Sequence, residues 1–394
     1  MDSSLEPLRL FLEKQKERNL YRTLRPFIRR KGPWIEVEGR WLLNASSNDY
    51  LGLSTDPRLR EAAITAMERY GFGSGASRLI TGDSQLHEEL ESAIALWKGA
   101  ESALLFNSGY HANIGVISAL VGEGDVIYSD ALNHASIIDG CRLSRAQVKI
   151  YRHCDLDHLE QLLREDRNRR VKKLIVTETI FSMDGDEAPL LEIVELSQRY
   201  NTWLMIDEAH AGGVFGPKGQ GLAAELGIPI EGITVSIGTL GKAVGSFGAY
   251  AVGTRLIREY LINRARSFIF TTALPIPVVA ASLCGIELIQ RMDDVRQRLL
   301  EDAGRIRRFL REQGLSIPEG RAPILPWILG EERLTLTASQ LLRDRGILGV
   351  AIRPPTVPQG TSRIRITLTA SFTSSDVEFL SSTLVHLHTA LLGS

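Results

Sequence analysis

The chain has 394 residues, of which 24% are charged and 44% hydrophobic, with a formal net charge of −1 at pH 7. That length suits more than one domain, and the near-neutral balance leaves no electrostatic footprint for nucleic acid or an anionic membrane surface. The three cysteines, Cys141, Cys154 and Cys284, are odd in number and lack C-x-x-C spacing, which argues against a disulfide framework or a zinc site and fits a reducing cytoplasm.

Residues 1–21 read as a charged amphipathic helix without the apolar core of a signal peptide. "RPFIRRKGPWIEVEGRWLLNASSNDYLGL" then reads as short strands and turns. From there apolar β-branched runs alternate with amphipathic segments. The candidate strands are 102–107, 125–130, 148–153, 173–179, 202–208, 233–238 and 248–253. Helical patterns such as "ANIGVISALV", "LDHLEQLLRE" and "LLEIVELSQRY" lie between them. Strands buried on both faces and separated by helices predict an α/β fold with a mainly parallel seven-stranded sheet. The last strand follows its neighbour so closely that an antiparallel course is expected.

"SFIFTTALPIPVVAASLCGI" (267–286) carries no charge over about the length of a membrane span. Its two prolines and its hydroxyls predict a buried loop and helix instead. "ELIQRMDDVRQRLLEDAGRIRRFLREQGL" reads as one long charged helix, followed by "PILPWILG", "GILGVAIRPPTVPQGTSRIRITLTA" and a C-terminal helix. The expected organisation is an N-terminal helix with short strands (1–48), a large domain (49–286) and a smaller α+β C-terminal domain (287–394).

Two glycine motifs are decoys. "GFGSGA" (71–76) spells G-x-G-x-x-A but follows a helical segment, whereas a dinucleotide fingerprint must follow a strand and open a helix. "GTLGKA" lacks the first glycine of a P-loop and has Ala243 where a magnesium-binding hydroxyl is needed.

The chemistry gathers elsewhere. "LMIDEAH" places Asp207 and His210 just beyond an apolar strand, at the edge where ligands bind in open α/β sheets. "ITVSIG" delivers Thr239 and then Lys242 to the same rim. "FNSGYHAN" is a strand end, a glycine turn and a helix start, whose free N–H groups suit a phosphate. "SDALNHASI" brings His134 to the next strand end, and "TETIFSMDGD" brings Ser182 to another. These parts match the needs of pyridoxal phosphate (PLP). A lysine amine condenses with its aldehyde, and a carboxylate keeps its pyridine nitrogen protonated. An imidazole stacks on the ring, and a helix N-terminus holds the phosphate. The small residues around Lys242 are expected to give the lysine room to move.

With these residues in place the sequence resembles the α-oxoamine synthase family, PLP enzymes of fold type I with an aspartate-aminotransferase-like architecture. The likeness runs through "SSNDYLGL", "GSGASRLITG", "HEELE", "NHASIIDGCRLS", "FSMDGD", "DEAHAGGVFG", "GTLGKAVG" and "AIRPPTVPQGTSRIRITLTA", nearly the whole chain. It implies that Lys242 is the Schiff-base lysine and later the base for the α-proton, that Asp207 pairs with the pyridinium, and that His134 stacks on the ring. It implies ring-oxygen contacts from His210 and Ser182, and phosphate contacts from the Gly109 and Tyr110 N–H groups and Thr239. Thr271 and Thr272 would reach the phosphate of a partner subunit, because the family builds its sites at a homodimer interface. Asn48 and Arg353, with His134, would hold the amino acid, and Arg22 and Thr356 the acyl substrate. "DEAHA" stands where "DDAHG" is common, so Glu208 and Ala211 are candidates for tuning substrate preference. The proline pair after Arg353 points to the family branch that joins L-alanine to a pimeloyl thioester. The alternatives are a sister synthase that uses glycine or serine with another acyl-CoA, and a non-catalytic relative, which would be expected to lose Lys242 or Asp207.

Overall fold

The computed structural model describes residues 3–393, with the chain dividing into two compact units. The larger unit comprises 49–182 and 186–297, and the smaller comprises 1–48, 183–185 and 298–394.

Seven strands organise the larger unit: β1 (Ser102–Phe106), β2 (Val126–Asp130), β3 (Gln147–Tyr151), β4 (Lys173–Glu178), β5 (Trp203–Asp207), β6 (Val235–Thr239) and β7 (Ala249–Gly253). Their spatial order is β1-β7-β6-β5-β4-β2-β3. The pairs from β3 through to β6 are all parallel, while β7 runs antiparallel to both β6 and β1. All seven strands lie where the alternation of apolar runs predicts them, and the last takes the expected antiparallel course.

The sheet's two faces explain why its strands read as continuous apolar runs. Side chains alternate across a strand. Ile127, Leu174, Val176 and Met205 enter one core, with Val116 and Ile117 from the helix Gly109–Leu120 and Ile137 from the helix Ala135–Ser144. Their neighbours Tyr128, Ile175, Leu204 and Ile206 enter the other, with Leu159 and Leu163 from Leu156–Glu165 and Ile193 from Leu190–Arg199. Both faces of the central strands are covered, so those strands carry no polar stripe, whereas the edge strand β3 is largely exposed. Burying one such side chain contributes about 1.5–3 kcal/mol.

"GFGSGA" follows the helix Pro57–Tyr70, not a strand. The uncharged stretch forms a short helix, Arg266–Ile269, a loop, and the helix Ile276–Ile289 with proline in its first turn. No helix among the described residues is long and apolar enough to cross a membrane. The expected single charged helix is in fact broken: one helix ends at Ile289 and another spans Asp293–Glu312. "MDD" is the cause. Asp293 and Asp294 occupy the first turn of the second helix, where the helix dipole favours acids. Arg296, bonded to the Ile289 carbonyl and to Asp293, ties the break together.

In the smaller unit the N-terminal helix runs Glu6–Glu17, shorter than the expected 1–21, of which residues 1 and 2 lie outside the described residues. Three short antiparallel strands follow, Arg29–Lys31, Trp34–Val37 and Arg40–Asn44, and Ile347–Leu348 joins the last in parallel. A second sheet pairs Ile324–Gly330 and Ala351–Ile352 with Ser362–Thr367. The C-terminal helix Ser374–Leu392 opens on a capping box, Thr373 with Asp376, which satisfies two amide donors reciprocally.

Candidate active site

The C-terminal edge of the seven-stranded sheet collects the predicted polar groups of the larger unit. Asp207 closes β5 and is buried. Its parity places it on the Met205 face, toward the helix Gly109–Leu120. From that helix Asn113 Nδ2 donates to Asp207 Oδ2 at 2.8 Å, and the Ala209 N–H donates to Oδ1 at 2.9 Å. Two donors fix the orientation of the carboxyl at this edge.

Lys242 follows β6 and is half-buried. Its Nζ lies 2.7 Å from His210 Nε2, and His210 Nδ1 lies 2.6 Å from the Tyr50 hydroxyl. Tyr50, His210 and Lys242 thus form a line of proton-bearing groups, with the first two buried. His134 begins the helix Ala135–Ser144. Its Nδ1 accepts from the Ser136 N–H at 3.2 Å and faces Ser136 Oγ at 2.7 Å, while Ser136 Oγ accepts from Asn113 at 2.9 Å. Because Nδ1 accepts, the neutral ring carries its proton on Nε2. His134 keeps an exposed surface. Burial of its inner edge lowers its pKa, Asp207 opposes that shift, and Lys242 adds to it. One helix residue, Asn113, therefore links the side chains of Asp207 and His134.

Ser108 caps the helix Gly109–Leu120, its Oγ accepting from the His111 N–H. The N–H groups of Gly109 and Tyr110 stand in the first turn, where no preceding turn can accept them. The Tyr110 ring is exposed, its hydroxyl donating to Asp139 at 2.7 Å. Ser182 is buried in the turn after β4. Thr239 ends β6, its hydroxyl donating to the Gly248 carbonyl at 3.0 Å and accepting from the Gly241 N–H at 3.2 Å. It must turn from Gly248 to donate to a phosphate. Asn107 Nδ2 donates to Thr271 Oγ1 and to the Thr272 carbonyl, both at 2.9 Å, which brings both threonines to the end of β1.

Three glycines near Lys242, Gly238, Gly245 and Gly248, also have a packing task, whereas a Cβ on Gly241 would meet nothing closer than 3.6 Å. A Cβ on Gly238 would sit 2.2 Å from the Tyr250 ring, and one on Gly245 would sit 2.5 Å from the Ser54 nitrogen. Gly245 and Gly248 also have φ of +76° and +111°, a region that side chains rarely adopt. These glycines let other parts of the chain pack against the lysine's segment. Glu208 is likewise reassigned. It lies on the opposite face from Asp207, buried, where it bonds Lys98, the Ala223 N–H and Ser236. It cannot tune a substrate from there. Ala211 is also fully buried.

Farther along the rim, His153 bridges two acids, Nδ1 to Asp130 at 2.8 Å and Nε2 to Asp186 at 2.7 Å. Burial alone would lower its pKa, but the bonds to Asp130 and Asp186 outweigh it and push the imidazole up to about 12.

In the smaller unit, Arg353 bonds the Asn19 and Tyr21 carbonyls, and Arg22 Nη2 bonds the Pro354 carbonyl at 3.4 Å. The Thr356 N–H bonds the Arg353 carbonyl at 3.1 Å. The structure so joins Arg22, Arg353 and Thr356. Burial lowers the Arg353 pKa, and Arg22 adds to this, a pair of cations suited to an anionic group. Asn48 instead meets a residue that the sequence does not single out: its Oδ1 accepts from Arg365 at 3.0 Å, and Arg365 also bonds Thr367. That contact leaves the Asn48 NH2 to serve as a donor.

The family model for class I and II aminotransferases matches residues 41–384. The chain belongs to that family. It is 50% identical to an 8-amino-7-oxononanoate synthase of Anaeromyxobacter dehalogenans, over 93% of this chain and 92% of that protein. A protein of the same name from Geobacter sulfurreducens is 47% identical over 93% and 94%. A serine palmitoyltransferase variant from S. paucimobilis, solved with a bound PLP–myriocin aldimine, superposes with a TM-score of 0.93 at 29% identity, covering 99% and 98% of the two chains. The 8-amino-7-oxononanoate synthase of Francisella tularensis superposes at 0.77 and 28% identity, over 89% and 98%. The donor set fits PLP on its own chemistry: a buried carboxylate with two donors, an amine on an imidazole, and a capped helix N-terminus stand on one sheet edge. PLP is the cofactor of this enzyme.

Proposed function

We propose that the chain condenses L-alanine with a pimeloyl thioester, giving 8-amino-7-oxononanoate, carbon dioxide and free thiol in biotin synthesis. The observation that carries this is the Tyr50–His210–Lys242 line beside a doubly hydrogen-bonded Asp207. Identity near 50% to 8-amino-7-oxononanoate synthases, against 29% to a serine palmitoyltransferase, favours alanine over serine.

When bound, PLP supplies an electron sink for negative charge at the substrate α-carbon. Asp207 would hold its ring nitrogen protonated, His134 would lie on the ring face, and Ser182 and His210 would reach the ring oxygen. The Gly109 and Tyr110 N–H groups and Thr239 would hold the phosphate. Lys242 would be the covalent attachment point and, once released, the base that takes the α-proton at Nζ. His210 Nε2, 2.7 Å away, would share that proton, and Tyr50 fixes the imidazole from its other side. Arg353 and the Asn48 NH2, with His134, would bind the amino-acid carboxylate, and Arg22 and Thr356 the acyl substrate.

We further propose a homodimer in which Thr271 and Thr272 complete the partner's phosphate site; the expected domain boundary near residue 286 moves to the Gln297–Arg298 junction, because 186–297 pack with the larger unit. A cytoplasmic location accords with the three free thiols.

The test pairs absorbance with turnover. Added PLP should give a visible band that Lys242→Ala abolishes. The purified protein should release thiol from pimeloyl-CoA with alanine. Release with glycine only would overturn the assignment.

A further inference from the structure

We infer that Glu178 is a positioning residue of this site, a buried carboxyl that fixes His134 and Ser182 through their backbone amides. The inference rests on the cofactor reading above, since those are the residues assigned to the ring.

Glu178 closes β4 and is 3% exposed. It pairs in register with Asp207 on β5, and its parity matches Leu174 and Val176, so both acids lie on the same face. The N–H groups of His134 and Ser182 reach its carboxyl. Its own N–H donates to Asn133 Oδ1 at 3.1 Å, and Asn133 Nδ2 donates to the Val176 carbonyl at 2.8 Å. One strand end thereby gathers the turn after β2 and the turn after β4.

One carboxyl oxygen, Oε1, is buried and has no hydrogen-bond partner among the described residues. An ionised Glu178 would leave that oxygen desolvated and set a second negative charge beside Asp207. A neutral carboxyl removes the second negative charge and lowers the desolvation cost to that of a buried O–H, while it still accepts amides. The charged groups acting on it are Asp207 from β5 and Lys242 from the segment after β6. Burial pushes the Glu178 carboxyl up to about 8, Asp207 pushes the same way, and Lys242 opposes.

Glu178→Gln reproduces the neutral acid and keeps an acceptor for both amides, whereas Glu178→Ala removes it. Two measurements test the idea. The first is PLP affinity by absorbance at pH 7: Gln should stay within about threefold of the wild type, and Ala should lose about tenfold or more. The second is urea stability without PLP from pH 5 to 9. A folded-state pKa above the ordinary one means that the folded form binds more protons, so this group's contribution falls as pH rises toward 8. Gln lacks that loss, so its stability relative to wild type should rise across the window and then level off. Equal PLP losses for Gln and Ala, or a flat pH difference, would overturn the inference. If Ala does not fold, the Gln comparison decides alone. Wild-type protein that takes up no PLP would sink the proposed function and this positioning role with it. A pH difference that then remained would show that the failure lay in the cofactor reading rather than in the neutral state of Glu178.

Discussion

Asn113→Ala is the sharpest single perturbation of the site. Asn113 is 1% exposed and donates to both Asp207 Oδ2 at 2.8 Å and Ser136 Oγ at 2.9 Å. A hydrogen bond to a charged group contributes about 1.5–3 kcal/mol. At about 1.4 kcal/mol per decade this predicts a loss of about 10- to 150-fold in PLP affinity, because Asp207 would keep one donor of two and bind the pyridinium less well. The effect on folding should be smaller, since Asn113 Oδ1 already has no partner and its removal deletes an unsatisfied acceptor. Asn113→Asp should cost more affinity than Ala, because it sets a carboxylate against Asp207. Absorbance titration of PLP at pH 7.5 gives the affinities, and urea unfolding without PLP checks the fold. If Asn113→Ala bound PLP within twofold of wild type while Asp207→Ala abolished binding, the reasoning about donor support would be refuted.

Other outcomes follow from the same contacts. His153→Gln should destabilise the protein, most strongly below the ordinary histidine pKa of about 6.5. The raised pKa makes the wild-type contribution full below that value and draws it down as pH rises toward about 12, so the urea-measured gap between the two proteins should shrink from pH 6.5 to 9. Gly238→Ala should lower the unfolding free energy measured in urea by about 1–3 kcal/mol through overpacking, because its Cβ would sit 2.2 Å from the buried Tyr250 ring. Ile237→Ala, at a fully buried position, should cost about 2–5 kcal/mol by the same assay. Thr373→Ala should cost about 1 kcal/mol by breaking the capping box, without affecting PLP absorbance.

The sheet was legible because its central strands are buried on both faces: Leu174, Ile175 and Val176 all had to be apolar, whichever core each entered. The helix break at Asp293 was missed because amphipathic spacing continues across it, although "MDD" carried the start signal. Asp207, His210 and Lys242 stood out as polar groups just beyond apolar runs. Their supports did not. Asn113, Tyr50 and Glu178 act through partners set by sheet order and register, and Asn113 and Asp207 are far apart in sequence. Arg365 was hidden inside a strand whose alternating arginines read equally well as a solvated face, whereas both Arg363 and Arg365 are buried. The packing task of Gly238 and Gly245 was not legible, because the sequence does not show that Tyr250 and Ser54 press against them.

The central claim is that this site joins alanine to a pimeloyl thioester through Lys242. Thiol release measured with alanine, glycine and serine, each against pimeloyl-, acetyl- and succinyl-CoA, tests it most directly. Release is expected with alanine and pimeloyl-CoA in the wild type and none in Lys242→Ala. Release confined to glycine, or undiminished in Lys242→Ala, would contradict it.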